Sequence, residues 1–154
     1  MEAQIPSVRI ARIVEIPRLT HIHTLSLMRF HGEQIGVNLR SEYSVDPGIR
    51  NILRLQLQVV YTWLHNQIVR PLCEYGMEID FDLEDVGIDL EDGEILLPEW
   101  LARITLSTGI GALRGMLAVA TRNTFLINYP MPLFDLSELI EGDATLRIHE
   151  KEVL

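Results

Sequence analysis

Cysteine is nearly absent from this chain. A single residue, Cys73, stands in 154, which excludes an internal disulfide and any cysteine-based metal cluster. Lysine is as scarce: the basic residues are twelve arginines and Lys151. From Pro71 to Ala102 there is no basic residue at all, while eleven of the 22 acidic residues fall in that interval. Nucleic acid is therefore a poor partner, because phosphate neutralisation needs clustered basic groups. A basic protein surface suits this net charge of −9 better. Internal repeats and low-complexity tracts are also lacking. No secretory leader is readable near Met1, since Arg9, Arg12 and Arg18 interrupt every apolar run, and the expectation is a cytoplasmic protein. With 47% apolar residues, general disorder is excluded and one domain with a real core is expected.

What the chain does have is one long helical stretch, Pro98 to Arg122. Proline suits a first helical turn and Glu99 suits the positive end of the dipole. Wound at 100° per residue, Leu101, Ile104, Thr108, Gly111, Ala112, Gly115 and Val119 form a small-residue side. Leu106, Ile110, Leu113 and Leu117 form a bulkier one, with Arg103, Ser107, Arg114 and Thr121 between them. Two apolar sides call for two burial partners: the chain's own sheet, and a second subunit meeting Leu106, Ile110, Leu113 and Leu117. Gly111 and Gly115 are candidates for a close approach by either. A membrane span is disfavoured, because two arginines near the middle cost about 2.5–3.5 kcal/mol each on the insertion scale.

Before the helix, three runs alternate. Ile35 to Val45 places Ile35, Val37, Leu39, Tyr43 and Val45 on one face. The next places Leu53, Leu55, Leu57, Val59, Tyr61 and Trp63 inward, and the third Val69, Cys73, Tyr75, Met77, Ile79, Phe81 and Leu83. Asp46-Pro47-Gly48 and His65-Asn66-Gln67 are the turns between them. Runs so closely joined predict an antiparallel meander and leave no room for crossover helices. An additional strand is predicted over Arg18 to Phe30. Residues Val8 to Val14 read as either a strand or a helical turn, ended by Pro17. After the helix come a proline-broken segment, Phe125 to Pro132, and a short helix capped by Asp135 with Glu138 three residues on. Residues 1–142 are expected to form the domain and 143–154 a tail, with Ala144 to Ile148 a possible short strand.

Tests for chemistry return little. Asp80, Asp82, Glu84 and Glu91 have EF-hand-like spacing, but Asp85 occupies the position that needs glycine. His21 and His23 share a strand face with no nameable third ligand. Ser107 lies in no nucleophile elbow, and Gly109-Ile110-Gly111 follows no strand. The expectation is a protein without catalytic residues, resident metal or cofactor.

The pattern from Leu97 to Ile140 is the most specific. It combines the Pro-led start, Gly111-Ala-Leu-Arg114-Gly115-Met-Leu, Arg122-Asn-Thr124-Phe125, and Tyr129-Pro-Met-Pro132-Leu-Phe-Asp135. With it the chain resembles the SecB family of protein-export chaperones, and its divergent branch in particular, over roughly Arg18 to Gly142. The resemblance implies an α+β fold: a four-stranded antiparallel sheet followed by a long helix and a short C-terminal helix. It implies a homotetrameric, ATP-independent holdase binding unfolded polypeptide clients in apolar grooves, where the helix's second apolar side by itself predicts a homodimer or homotetramer. Trp100, Phe125, Tyr129, Met131 and Phe134 are the groove candidates it points to. Glu78, Asp80, Asp82 and Glu84 match the acidic row that meets the SecA motor in the family. The family's Cys-Pro and Phe-Pro-Tyr pattern before the helix and its basic, glycine-containing tail are missing. Those gaps motivate the alternative of a SecB-fold interaction or scaffold protein, such as a guardian of an antitoxin.

Overall fold

A computed structural model describes residues 8–18, 35–45, 51–86, 94–140 and 144–147. Strands β1 (Arg9–Arg18), β2 (Ile35–Val45), β3 (Ile52–His65) and β4 (Ile68–Asp82) form one antiparallel sheet in the order β1-β4-β3-β2. Then follow β5 (Glu94–Leu97), the long helix α1 (Glu99–Ala120), a 3-10 turn (Phe125–Asn128), the short helix α2 (Leu136–Leu139) and β6 (Ala144–Arg147). The fold class is the expected α+β one: four antiparallel strands, a long helix, a short helix.

The β3–β4 hairpin is the spine of the sheet. Asn66 and Gln67 both adopt positive φ (48° and 63°), the mirror-image turn whose twist matches that of the flanking strands. The alternation places Leu53, Leu55, Leu57, Val59 and Tyr61 opposite Phe81, Ile79, Met77, Tyr75 and Cys73, all buried. Leu83 joins them, as expected. Val69 does not; it is 62% exposed. Between Tyr61/Cys73 and Thr62/Pro71 the register slips by one residue, and Leu72 takes the inward position. One extra residue in a strand swaps the faces beyond it, so Val69 turns outward.

The first strand differs from its expectation. Of Val8 to Val14, all but Val8 belongs to a strand that continues through Pro17, which pairs with Tyr75. Proline is tolerated there because β1 is an edge strand. The strand expected over Arg18 to Phe30 lies outside the described residues beyond Arg18, as do His21 and His23. At the other end, β6 pairs with β5, so the tail expected from residue 143 begins with chain paired to the segment before the helix.

Helix α1 lies across β3 and β4. Its buried side is Leu101, Ala102, Thr105, Leu106, Gly109, Ile110, Leu113 and Leu117. An added Cβ on Gly109 would stand 2.6 Å from Leu57 Cδ1 and 3.0 Å from Leu55 Cδ2, so a bare backbone is what lets the helix sit this close. Gly111 and Gly115, the glycines expected to allow that approach, have nothing within 4 Å of such a Cβ. The first turn is held by Arg103, whose Nε and Nη2 reach Glu99 Oε1 at 3.0 and 2.8 Å. Tyr43 of β2 ties in the same end, its hydroxyl 2.6 Å from Thr105 Oγ1.

Candidate functional site

The helix side expected to meet a second subunit is the monomer's own core. Leu106, Ile110, Leu113 and Leu117 are all 5% exposed or less. Four bulky side chains at helical spacing match the inner sheet face, and burial of each contributes about 1.5–3 kcal/mol. The helix side left outward carries Trp100, Ile104, Gly111, Gly115 and Val119.

The acidic row is partly engaged within the sheet. Glu78, Asp80 and Asp82 do alternate on the outer face of β4, away from the helix. Arg12 and Arg54 flank them from β1 and β3. Arg54 Nε donates to Asp80 Oδ1 at 2.8 Å and lies 3.1 Å from Glu78 Oε1; Arg12 Nε donates to Asp80 Oδ2 at 3.0 Å. Arg12 Nη2 also bonds Glu78, and Gln56 Nε2 donates to Glu78 Oε2 at 2.8 Å. Asp80 is buried, and its carboxyl is held below its ordinary value, chiefly by the Arg54 hydrogen bond acting against desolvation, then by Arg12. Two guanidinium groups thus offset two carboxylates across three strands. Asp82 accepts the backbone N–H of Glu84 at 2.9 Å, and Glu84 itself stands exposed in a 3-10 turn. The row is a cross-strand charge ladder for half its length.

A concave apolar site forms where the chain returns from α1. Thr121 caps the helix, its N–H and hydroxyl both donating to the Leu117 carbonyl at 2.9 and 2.8 Å. Thr124 then starts the 3-10 turn by accepting the Leu126 N–H at 3.2 Å. Two bonds tie the loop down. Tyr61 Oη of β3 donates to the Tyr129 carbonyl at 2.8 Å, and Arg114 Nη2 donates to the Pro132 carbonyl at 3.0 Å. The prolines at 130 and 132 lack N–H groups and keep this stretch out of any ladder. Between helix and loop lies a cavity of about 270 Å³. Its lining is Tyr61, Arg114, Leu117, Ala118, Thr121, Arg122, Leu126, Ile127, Tyr129, Pro130 and Met131.

Of the expected groove residues, Tyr129 and Met131 line this cavity. Met131 is buried and Tyr129 half-buried. Phe134 packs half-buried against the core beyond it. The side chain of Phe125 lies outside the description. Trp100 is elsewhere: it sits fourteen residues before Arg114, about 21 Å away along the helix at 1.5 Å per residue. Sequence reasoning missed Tyr61, Arg114 and Arg122 as lining residues. Arg114 and Arg122 both stood within the motifs that carry the resemblance, whereas nothing in the strand pattern sets Tyr61 apart from its inward neighbours.

A second, more open hollow of about 370 Å³ lies on the opposite flank of α1, lined by Glu15, Tyr75, Gly115, Met116, Val119 and Ala120. Tyr75 donates its hydroxyl hydrogen to Glu15 there. Beside it Ile10 and Ile13 of β1, on the helix side of the sheet, are 48% and 44% exposed. Cys73 is buried, and burial with the nearby Glu74 charge pushes its thiol up to about 11, which makes it a poor nucleophile. Among the described residues no group of three or more His, Cys, Asp or Glu could hold a metal ion, and no helix is long and apolar enough to cross a membrane.

No protein-family model matches the chain, and no curated protein matches it. Among solved structures it is similar to the Mycobacterium tuberculosis Rv1957 SecB-like chaperone, in complex with a ChAD peptide from the Rv1956 HigA1 antitoxin. That match has 14% sequence identity, a TM-score of 0.41, and covers 85% of each chain. A likeness of that degree carries no argument about function.

Proposed function

We propose that this protein binds extended, apolar polypeptide segments and acts as an ATP-independent, non-enzymatic holdase of the SecB-like kind. The observation that carries the reading is the cavity between α1 and the tied-down loop. It is concave and lined mostly by apolar side chains, which suits an extended apolar segment better than a small polar metabolite. Around it Ile127 and Leu133 are exposed, the latter by 89%, which extends the apolar surface onto the loop. The cytoplasm is the location this reading assigns. Assembly into a homodimer or homotetramer belongs to it as well, through the outward side of α1 and not through Leu113 and its buried neighbours.

The test is suppression of aggregation of a chemically unfolded client on dilution, without nucleotide. Suppression at a few-fold molar excess is expected; unchanged light scattering would sink the holdase reading. The charge ladder favours a second reading over export. With Glu78 and Asp80 spent on Arg12 and Arg54, a SecA-like motor would find only part of the expected acidic row. A dedicated partner-binding or scaffold role needs no such row. Asp82→Lys with Glu84→Lys leaves the ladder intact and separates the two. Lost, salt-sensitive motor binding supports export, and retention of one stable folded partner supports the scaffold role.

A further inference from the structure

Arg114 and Arg122 are the only charged residues among those lining the cavity between α1 and the following loop, and no carboxylate lines it. This holds in a chain of net charge −9. Neither arginine makes an ion pair among the described residues, although Arg9, Arg12, Arg54 and Arg103 all do. Arg122 sits just past the C-terminal end of α1, where the helix dipole favours a cation. That accounts for Arg122 alone. Arg114 lies in the body of the helix, and its side chain is drawn under the loop. One nitrogen, Nη2, bonds the Pro132 carbonyl at 3.0 Å. Another, Nε, is closed off from solvent and has no hydrogen-bond partner.

A guanidinium carries five donors in a fixed planar fork suited to two carboxylate oxygens; with Nε closed off and one Nη2 hydrogen on Pro132, the Nη1 pair and the second Nη2 hydrogen are the donors left for a ligand. A half-buried cation under an apolar loop, with a second cation at the mouth, is half of a charge pair. Among the described residues no acid supplies the other half. Glu78 and Asp80 on the outer sheet face are engaged locally, and at physiological salt exposed charges are screened beyond about 8 Å.

From this we infer that the cavity selects apolar segments carrying a carboxylate, recognised by Arg114 and Arg122. The inference rests on the proposed reading of the cavity as a polypeptide site and names the class of segment it takes. The carboxylate is either the free C-terminus of a chain or an Asp or Glu side chain within the segment. Basic apolar segments are disfavoured there, even though the protein as a whole is acidic.

The experiment uses four fluorescein-labelled peptides sharing one Leu/Phe/Ser/Gly sequence of about ten residues, a length that suits an extended segment crossing the cavity and its rim. One has a free C-terminal carboxylate, one is amidated, one is amidated with an internal Asp, and one is amidated with an internal Lys. Anisotropy titration against the full chain is expected to show one or both carboxylate peptides binding about tenfold more tightly than the neutral amide, as one charge-assisted hydrogen bond would give. The Lys peptide is expected to be weakest. Whichever carboxylate peptide gains identifies the source. In Arg122→Gln and in Arg114→Gln, where glutamine keeps a donor for the Pro132 carbonyl, the preference over the amide is expected to fall below about threefold, the residue of a lost charge-assisted bond. Equal binding of all four peptides, or a Lys preference, overturns the inference and leaves the polypeptide site standing. No binding of any peptide overturns both.

Discussion

Three glycines on one helix allow the packing of α1 to be tested with propensity held constant. Gly109, Gly111 and Gly115 all lie in the helix interior, where glycine is about 0.8–1.0 kcal/mol less favourable than alanine. At Gly111 and Gly115 an added methyl meets nothing within 4 Å. Each alanine variant is therefore expected to gain about 1 kcal/mol, which for a chain of this size raises Tm by about 2–4 °C. At Gly109 the same gain meets a methyl 2.6 Å from Leu57 Cδ1, with Leu55 Cδ2 at 3.0 Å and Ile79 Cδ1 at 3.6 Å. Leu55 and Leu57 are at most 1% exposed, so their ends cannot swing into solvent to make room. Overpacking of this kind costs about 1–3 kcal/mol. The propensity gain cancels between variants, so Gly109→Ala is expected to be about 1–3 kcal/mol less stable than Gly111→Ala. Urea denaturation of the three variants measures it. A difference within about 0.5 kcal/mol, the scale on which surface changes scatter, would refute the placement of α1 on the sheet. If the outward side of α1 also meets a second copy, Gly111→Ala and Gly115→Ala will lower the assembly's apparent mass while raising monomer stability.

Asp80→Asn tests the charge ladder: because the folded carboxyl titrates below its ordinary value of 3.8, its contribution is complete above that pH and is lost as pH falls through the folded value. Wild type should therefore lose more stability than the variant between pH 7 and pH 3, and parallel losses would refute the ladder's role. Tyr61→Phe removes the hydroxyl that holds the Tyr129 carbonyl, with an expected loss of about 1 kcal/mol by denaturant titration and faster proteolysis after residue 124; unchanged protease resistance would show that the tie does not hold the loop. The native Cys73 thiol, pushed up to about 11, should resist a thiol reagent at pH 8 until guanidinium unfolds the chain. Rapid native reaction would mean that β4 opens. Leu113→Glu, at a fully buried position, should unfold the monomer instead of merely dissociating an assembly, as a soluble, folded variant would disprove.

Much of the fold was legible because it is written in period. Leu53 to Tyr61 and Cys73 to Phe81 alternate strictly, and the hairpin that joins them obeys that alternation until Leu72. There a bulge, which leaves no mark in hydrophobicity, turns Val69 outward. The first strand reads in sequence as either a strand or a helical turn and ends too early there because Pro17 reads as a stop, and only the sheet order shows that it occupies an edge. The helix bounds were readable from Pro98, but its orientation was not. Both sides of the wheel are apolar, and what selects between them is that leucines fill the inner sheet face whereas glycines and Val119 cannot. The site was half legible for a related reason. Tyr129 and Met131 announce themselves in a proline-broken segment, while Tyr61, Arg114 and Arg122 join them only once the helix end and β3 are brought under one loop.

That convergence is also why we propose the cavity, and not the acidic row, as the functional surface. A charge row that acts on a partner must keep its charges available, and here Arg12 and Arg54 neutralise its centre while stitching β1 and β3 to β4. The stitching is worth more to the sheet than to any visitor, since each added guanidinium lowers the field that a basic partner would feel. The loop after α1 has the opposite economy. Its two ties are to backbone carbonyls, Tyr129 and Pro132, so they fix the loop without consuming the apolar side chains between them. A groove held open by its own backbone need not be ordered by its ligand, which lowers the entropic cost of binding an extended chain. The same arrangement leaves Arg114 without an ion pair among the described residues, and on the proposed reading that charge is what would turn an apolar groove into a selective one.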